Sequence, residues 1–435
     1  MNKNQIKSPR YCGFLFEQNK GRTMAKKTVA DIDVKGKTVL MRCDFNVPLD
    51  ANQTITNDGR ITKAMPTIQH ILDGGGALIL MSHLGRPKGE VKPEYSLAPV
   101  AKRLGELLGK DVIMAVDCIG DEVKASVAAL KPGDVMLLEN LRFHKPETIK
   151  DKAAKEDAQL RQAKDDFAKQ LADLADVYVC DAFGTAHRDN ASMYTVPCIM
   201  EGKPRVSGYL IEKELKFLGE TVENAQKPFV AILGGAKVSD KLAVIENMMT
   251  KVDMILIGGA MAYTFFKAKG KRIGNSLCEN DFLDTAASLV DQAADADCEI
   301  VLPVDTVVAD DFKVDAEQKV VEGDIDDGWQ GMDIGPKTQA LFVSKLAGAK
   351  TIVWNGPMGV FEMEPFAAGT KAVATAVAEA TTGGARSVIG GGDSASAIVN
   401  MGLEDQVSHI STGGGASLEF LEGKKFKCLE ILDEK

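Results

Sequence analysis

In the first half of this chain, short apolar runs end in side chains suited to holding an anion. Val39-Leu40-Met41 runs into Arg42-Cys43-Asp44-Phe45-Asn46, and Leu78 to Met81 leads into Ser82-His83-Leu84-Gly85-Arg86-Pro87. Val135 to Leu138 leads into Glu139-Asn140-Leu141-Arg142, and Val177 to Cys180 into a segment that closes with His187-Arg188. Arg60 follows Asp58-Gly59 in an expected loop. The planar guanidinium fork pairs bidentately with carboxylate and phosphate. One such arginine is ordinarily a surface ion-pair partner. Arg60, His83, Arg86, Arg142 and Arg188, drawn from different strands and loops, read as one crest for a small anion. His187 either donates to the same anion or caps its loop.

In the second half the runs end in glycine: Phe229 to Leu233 before Gly234-Gly235-Ala236-Lys237, Met254 to Ile257 before Gly258-Gly259, Thr351 to Trp354 before Asn355-Gly356-Pro357, and Val388-Ile389 before Gly390-Gly391-Gly392-Asp393. The last of these joins a strand to a helix expected from Ser396 to Met401. A helix start offers unpaired N–H groups and a positive dipole end, and glycine lets a phosphate approach. Asp393 beside it supplies the single carboxylate that, with nucleotide phosphates, usually holds magnesium. The same residues fit G-x-G-x-x-A, but that dinucleotide fingerprint belongs at the first strand of its fold, and only about 45 residues follow here. No GxxxxGK[ST] occurs, which removes a P-loop. Lys237 and Lys241 stand four apart, a spacing that predicts one face of a helix starting at a strand end. There they either compensate transferring phosphates or lie on a solvated face.

Runs rich in Val, Ile and Leu alternate with helical patterns such as Leu97 to Leu108 and Lys241 to Met249. That is the signature of βαβ units around buried parallel sheets, an α/β fold. Ligands in such sheets bind at the carboxyl ends of the strands. The 435 residues exceed one ordinary core, and a 45% apolar fraction is ample for two. The division is placed at a linking helix over Val206 to Glu220, giving a lobe at 24–205 and a second at 206–410. Residues 146–176 read as a polar insert, a decoration, followed by a long surface helix with Leu160, Phe167, Leu171 and Leu174 on one side. Residues 1–23 read as an over-extended start or disordered tail rather than a targeting segment. A net charge of −10 argues against nucleic-acid or acidic-membrane binding, and no run approaches a membrane span. Eight cysteines without a Cys-x-x-Cys pair, and five histidines without zinc spacing, indicate reduced thiols in a cytoplasmic protein.

Taken together, RCDFNVP at 42–48, DGRI at 58–61, SHLGRP at 82–87, ENLRF at 139–143, DAFGTAHR at 181–188, GGAKVSDK at 234–241, NGPMGVFE at 355–362, GGGDSA at 390–395 and STGGGASLE at 411–419 closely resemble the phosphoglycerate kinase family. The resemblance runs from about Met24 to the C-terminus. It implies two Rossmann-like lobes of parallel sheets flanked by helices, hinge closure, and a C-terminal tail, about 411–435, packing back on the first lobe. It implies a monomeric, cytoplasmic enzyme of glycolysis and gluconeogenesis that moves a phosphoryl group reversibly between ATP and 3-phosphoglycerate, giving ADP and 1,3-bisphosphoglycerate. By position, 3-phosphoglycerate falls to Asp44, Asn46, Arg60, His83, Arg86, Arg142 and Arg188. The nucleotide falls to Lys237, Lys241, Gly258, Asn355, Glu362, Gly391, Gly392, Asp393 and Ser394, with Asp393 holding Mg2+. Arg60, Lys237, Gly391 and Gly392 carry the catalytic charge compensation. Cys43, Ala260 and Ser394 depart from the common family pattern, Ala260 standing where a third glycine is usual. The rival readings are a catalytically silent nucleotide-binding homologue with an interaction role, which loss of Arg60, Lys237 or Asp393 would signal, and a nicotinamide dehydrogenase.

Overall fold

The computed structural model of the chain describes residues 25–435, so the expected extension at 1–23 lies outside them. Every apolar run named above forms a strand buried on both faces, as parallel sheets covered by helices require. The first sheet contains β1 (Thr38–Cys43), β2 (Ala77–Met81), β3 (Ile113–Met114), β4 (Val135–Leu137), β5 (Val177–Asp181) and β6 (Arg205–Ser207), in the order β3-β4-β2-β1-β5-β6. The second contains β7 (Phe229–Leu233), β8 (Met254–Ile257) and β9 (Glu299–Val301), and later β13 (Thr351–Asn355), β14 (Arg386–Gly390) and β15 (His409–Ile410), ordered β15-β14-β13-β7-β8-β9. All pairings within these two sheets are parallel. Between β9 and β13 the chain makes an unexpected antiparallel sheet of β10 (Asp305–Ala309), β11 (Gln318–Glu322) and β12 (Gln330–Ile334). Its edge strand β11 is largely exposed, so it lacks the continuous apolar run that marks the others.

In each large sheet the chain leaves a central strand to one side and later returns on the other, which opens a crevice beyond the strand ends between β1 and β5 and between β7 and β13. Two clusters cover the outer sheet faces: Val39, Leu78 and Leu80 pack under Ile61, Ile68 and Leu104, while Val230 and Trp354 pack with Phe342, Val373 and Ile398. A further cluster departs from the two separate cores read from composition. It runs without interruption from Leu40 and Tyr178 through Ile211, Leu218, Leu421 and Phe426 to Phe229 and Leu233, so the two sheets share apolar packing across the linking segment and the tail.

The linking helix forms as expected, over Tyr209–Glu214, a π turn at Leu215–Glu220, and Thr221–Glu223. Val206 and Ser207, assigned by the expected division to the second lobe, belong to β6 of the first sheet. Gly208, the residue before the helix, has no capping side chain, and the cap comes from across the fold. Asp181, at the end of β5, accepts from the Ile211 N–H at 3.1 Å and from Thr67 Oγ1 at 2.7 Å, while Thr67 Oγ1 accepts from the Tyr209 N–H at 2.9 Å. A Cβ on Gly208 would fall 2.2 Å from the Asp181 carboxyl carbon, so only glycine admits this approach. Burial pushes the Asp181 carboxyl up to about 7.

The C-terminal residues bond to elements of the first sheet and its N-terminal flank. Asp433 pairs with Arg205 at 3.3 Å, Lys26 Nζ donates to the Leu432 carbonyl at 3.0 Å, and Lys427 meets Asp151 at 2.9 Å.

The 146–176 segment corrects the sequence reading. It forms a turn at Lys145–Thr148 and helices at Asp151–Glu156 and Ala158–Ala172. Phe167, Leu171 and Leu174 are buried as expected, but Leu160 is exposed. The polar insert is not decoration, since Glu147 is 0% exposed and Lys164 2% exposed.

Candidate active site

Four adjacent strands of the first sheet, β4-β2-β1-β5, deliver the anion-binding candidates from their carboxyl ends. Asp44 and Asn46 follow β1, His83 and Arg86 follow β2, Arg142 lies in a 3-10 turn after β4, and Arg188 lies in the segment after β5. Arg60 stands in the first turn of the Gly59–Asp73 helix rather than in the expected loop. Its Nη1 meets Asp44 Oδ2 at 2.7 Å, and His83 Nε2 lies 4.0 Å from Asp44 Oδ1. Asn46 Oδ1 accepts from the Gly85 N–H at 2.8 Å, and Arg142 Nη1 donates to the Gly85 carbonyl at 2.7 Å. Asp44, Asn46, Arg60, His83 and Arg142 therefore stand together. Arg86 and Arg188 are exposed and carry no carboxylate partner among the described residues. Arg188 donates from Nε to His187 Nε2 at 3.2 Å, so His187 serves that arginine.

The local potential is strongly positive. Burial first, and then Arg42, Arg142, Arg60 and Arg188, hold His83 well below its ordinary range. Burial, followed by Arg42 and Arg188, lowers Arg142 to about 10. Arg142 Nε is buried without a hydrogen-bond partner. Orphaned buried donors are costly, and here an anion would supply the missing acceptor.

In the second sheet the adjacent strands β14-β13-β7-β8 carry the nucleotide candidates. Lys237 and Lys241 do not share a helix face as their spacing predicted: Lys237 is exposed in the loop after β7, and the helix begins at Leu242 with Lys241 as its N-cap. Lys241 is 9% exposed and donates to Asn355 Oδ1, while Asn355 Nδ2 is buried without a partner. The helix after the glycine run starts at Gly392 rather than Ser396, with Gly391 at φ +86° and no side-chain cap. Gly392, Asp393 and Ser394 thus occupy its first turn, where intrahelical acceptors for N–H groups are lacking. A Cβ on Gly392 would meet nothing within 4 Å. Asp393 and Glu362 are exposed, whereas Ser394 is buried with its Oγ accepting from the Gly356 N–H at 2.6 Å.

Other glycines at these strand ends also permit close packing between loops. A Cβ on Gly258 would fall 2.4 Å from Met358 Sδ, and one on Gly234 would fall 2.1 Å from the Pro357 carbonyl oxygen. The Gly258 N–H already donates to Leu233, and that of Gly259 to Met358. These glycines let three loops pack against one another, and Gly258 brings no free N–H to the open surface. Ala260 has φ −66°, which any residue adopts, so the missing third glycine costs no backbone strain.

Burial lowers the Lys241 ammonium to about 8, so above that pH the free protein carries it increasingly neutral. A bound phosphate favours the charged form. Were a nucleoside diphosphate held at Lys241, its affinity would fall as pH rises through about 8, with proton uptake on binding there. Calorimetry in buffers of different ionisation enthalpy measures this, and binding without proton uptake would remove Lys241 from the phosphates.

Two residues of this site went unassigned in the sequence. Arg42 is 0% exposed within β1 and donates from Nη2 to His83 Nδ1 at 3.2 Å; a charge inside an otherwise apolar strand was the available signal. Lys63 lines a small cavity with Asp44, Arg60, Gly184, Leu210 and Thr412, where the first crest meets the linking helix and the tail. It lies one turn beyond Arg60, and nothing in its sequence context marks it.

A cation-rich crest at the mouth of one parallel sheet, and an uncapped glycine helix start beside a buried lysine at the mouth of another, define a two-lobed α/β phosphotransferase. The model of the family described as Phosphoglycerate kinase matches residues 29–424. The chain is 56% identical over 410 residues to phosphoglycerate kinase of Chloroherpeton thalassium, an alignment spanning 94% of this chain and 99% of that protein. Against the protein of the same name from Chlorobium phaeobacteroides it is 54% identical over 412 residues, spanning 94% and 100%. The structure of phosphoglycerate kinase from Coxiella burnetii, 41% identical, aligns with a TM-score of 0.81 over 93% of this chain and 98% of that one. The chain belongs to the phosphoglycerate kinase family. Its reaction is reversible phosphoryl transfer between ATP and the carboxylate of 3-phosphoglycerate.

Proposed function

We propose that 3-phosphoglycerate binds on the crest formed by Asp44, Asn46, Arg60, His83, Arg86, Arg142 and Arg188, and the nucleotide at Lys237, Lys241, Asn355, Glu362 and the Gly391–Ser394 turn. The observation that carries this division is the unmet hydrogen-bonding capacity at both mouths: Arg142 Nε on one side, and Asn355 Nδ2 with the uncapped first turn at Gly392 on the other. The lobe built on the first sheet, through β6 and with the 411–435 tail, then serves the acid, and the part that follows the linking helix, to about 410, serves ATP or ADP.

The nucleophile is a carboxylate, already ionised at neutral pH, so no general base is required and the protein supplies positioning and charge compensation. Arg60 and Lys237 face the moving phosphoryl group. Lys241 and the N–H groups of Gly392 and Asp393 hold the nucleotide phosphates. Asp393 is an exposed carboxylate in that first turn with no ion pair among the described residues, which suits the one-carboxylate, several-phosphate coordination of Mg2+. When bound, the ion would screen the phosphate oxygens. Arg60 is engaged by Asp44 at 2.7 Å, so the substrate must compete with that carboxylate for the guanidinium.

We read the protein as a cytoplasmic monomer, on its family and its reduced thiols; no helix among the described residues is long and apolar enough to cross a membrane. A coupled assay with 3-phosphoglycerate, ATP and Mg2+ tests the activity, and absence of turnover by folded protein would favour the silent-homologue reading. Arg142→Ala is expected to raise KM for 3-phosphoglycerate at least about tenfold while changing kcat much less, as loss of uniform anchoring does. Steady-state kinetics on that variant would expose the opposite pattern, a fall in kcat at constant KM, which would move Arg142 to the reacting group.

A further inference from the structure

The insert near 146–165, expected to be decoration, carries a fully buried carboxylate. Glu147 is 0% exposed, and its side-chain partners Asn190, Ser192 and Arg42 belong to the architecture around the crest. Oε1 accepts from Ser192 Oγ at 2.7 Å and from Asn190 Nδ2 at 3.2 Å, and Oε2 accepts from the Ser192 N–H at 2.9 Å. Oε1 also lies 3.9 Å from Arg42 Nη2, whose guanidinium is likewise 0% exposed. Arg42 donates from Nε to Ser192 Oγ at 2.9 Å, from Nη1 to the Cys43 carbonyl, and from Nη2 to His83 Nδ1 at 3.2 Å. The Ser192 hydroxyl thus accepts from Arg42 and passes its own proton toward Glu147.

Two consequences follow for the residues that face the substrate. An arginine can only donate, so the bond from Arg42 makes His83 Nδ1 the acceptor and leaves the proton of the neutral ring on Nε2. That is the nitrogen turned toward Asp44 and the crest. Asn190 and Ser192 follow Arg188 closely, so the same carboxylate pins the segment that carries the outermost arginine. The rest of the insert acts alike: Asp189 Oδ2 accepts from the Asp151 N–H at 2.8 Å, and Lys164 Nζ donates to the Asp189 carbonyl at 2.6 Å.

We propose that Glu147 is a positioning residue of the 3-phosphoglycerate site, acting through Ser192 and Arg42 to fix the tautomer of His83 and through Asn190 and Ser192 to place Arg188. The proposal rests on the reading that this crest binds the acid. Glu147 touches no substrate in this arrangement. It neutralises and orients a buried guanidinium that would otherwise have neither a counter-charge nor a fixed hydroxyl partner.

The test uses the full chain with nitrogen-15 labelled histidine. In the unmodified protein at neutral pH, His83 is expected to show a protonated Nε2 and an unprotonated Nδ1 without any ligand. Glu147→Gln presents an amide donor to the donors of Asn190 and Ser192, which should release Arg42 and leave His83 in mixed tautomers. Its KM for 3-phosphoglycerate should rise about tenfold, the worth of one charge-assisted hydrogen bond, with kcat and KM for ATP nearly unchanged. Ser192→Ala, a smaller change that removes only the bridging hydroxyl, should move both readouts in the same direction and guards against a poorly folded Glu147 variant. Glu147→Asp, which keeps the charge, should recover part of the KM effect. A folded Glu147→Gln protein with the Nε2–H tautomer and KM intact would overturn the proposal. So would a rise in KM with an unaltered tautomer, or an altered tautomer with unaltered KM. His83→Gln separates the two levels of inference: if that variant also keeps its KM for 3-phosphoglycerate, the assignment of the crest has failed rather than the brace behind it.

Discussion

Arg60→Ala is expected to lower kcat by about 3–4 kcal/mol of transition-state stabilisation, on the order of several hundredfold, while KM for either substrate changes little. Arg60 sits in the first turn of its helix, only 39% of its side chain is exposed, and it is held by Asp44 rather than free in a loop. Its charge is therefore aimed before substrate arrives. An interaction made chiefly in the transition state alters kcat, whereas one made equally throughout alters KM. Removing Arg60 also leaves the partly buried Asp44 carboxylate unpaired beside the incoming anion, which adds repulsion and should weaken acid binding slightly. Asp44→Asn supplies the control, since it removes that repulsion in the Arg60→Ala background. Steady-state kinetics on the purified variants measures both. Near-normal turnover by a folded Arg60→Ala protein would make the residue an anchor and leave Lys237 as the remaining cation for the moving group.

The largest stability effect is expected at Glu214, in the linking helix just before its π turn. Its carboxylate is 0% exposed and accepts from His409 Nε2 at 2.9 Å, Ser411 Oγ at 2.8 Å, and the Thr412 N–H and Oγ1, each at 2.7 Å. It ties the helix that leaves the first sheet to the strand end that leaves the second. Burial pushes its carboxyl up, but the bonds from His409 and Thr412 outweigh that and hold it below the usual carboxylate range. Glu214→Ala orphans these donors together and should cost about 3–5 kcal/mol, read as a fall in the denaturation midpoint at neutral pH. The folded-state pKa is depressed, so this contribution is present above the unfolded value, about 4.3, and is lost as pH falls through the folded one. The gap between the two proteins should accordingly narrow in acid. A variant as stable as the parent at neutral pH would show that the apolar cluster running through Ile211, Leu218 and Leu421 joins the two halves without this carboxylate.

The chemistry at the strand ends was legible because parallel sheets announce themselves. Runs buried on both faces are continuous in sequence, and whatever follows each run must stand at the carboxyl edge. Arg142 and Arg188, or Asn355 and Asp393, could be assigned to one mouth or the other with no knowledge of strand order. The family motifs then supplied the substrates. Local spacing was less reliable where loops and helices compete. Lys237 and Lys241 were four residues apart on no common helix, and the helix after the glycine run began early because Gly391, in a left-handed conformation, turns the chain at once into Gly392.

By itself the sequence determined the fold class, the reaction and most of the charged candidates at each mouth, since these follow from pattern and motif; Arg42 and Lys63 it left unassigned. Only the tertiary structure decided what stands behind them. That Glu147 is buried under Arg42, that Arg42 sets the proton on His83, and that Asp181 caps a helix it precedes in the chain depend on residues far apart in sequence meeting without solvent. So does the need for glycine at 234 and 258, where a backbone or sulfur atom from another loop leaves no room for a Cβ. Burial converts an ordinary surface charge into a constraint, and burial is a property of the packed chain as a whole, with no local trace in a segment as polar as the one that carries Glu147.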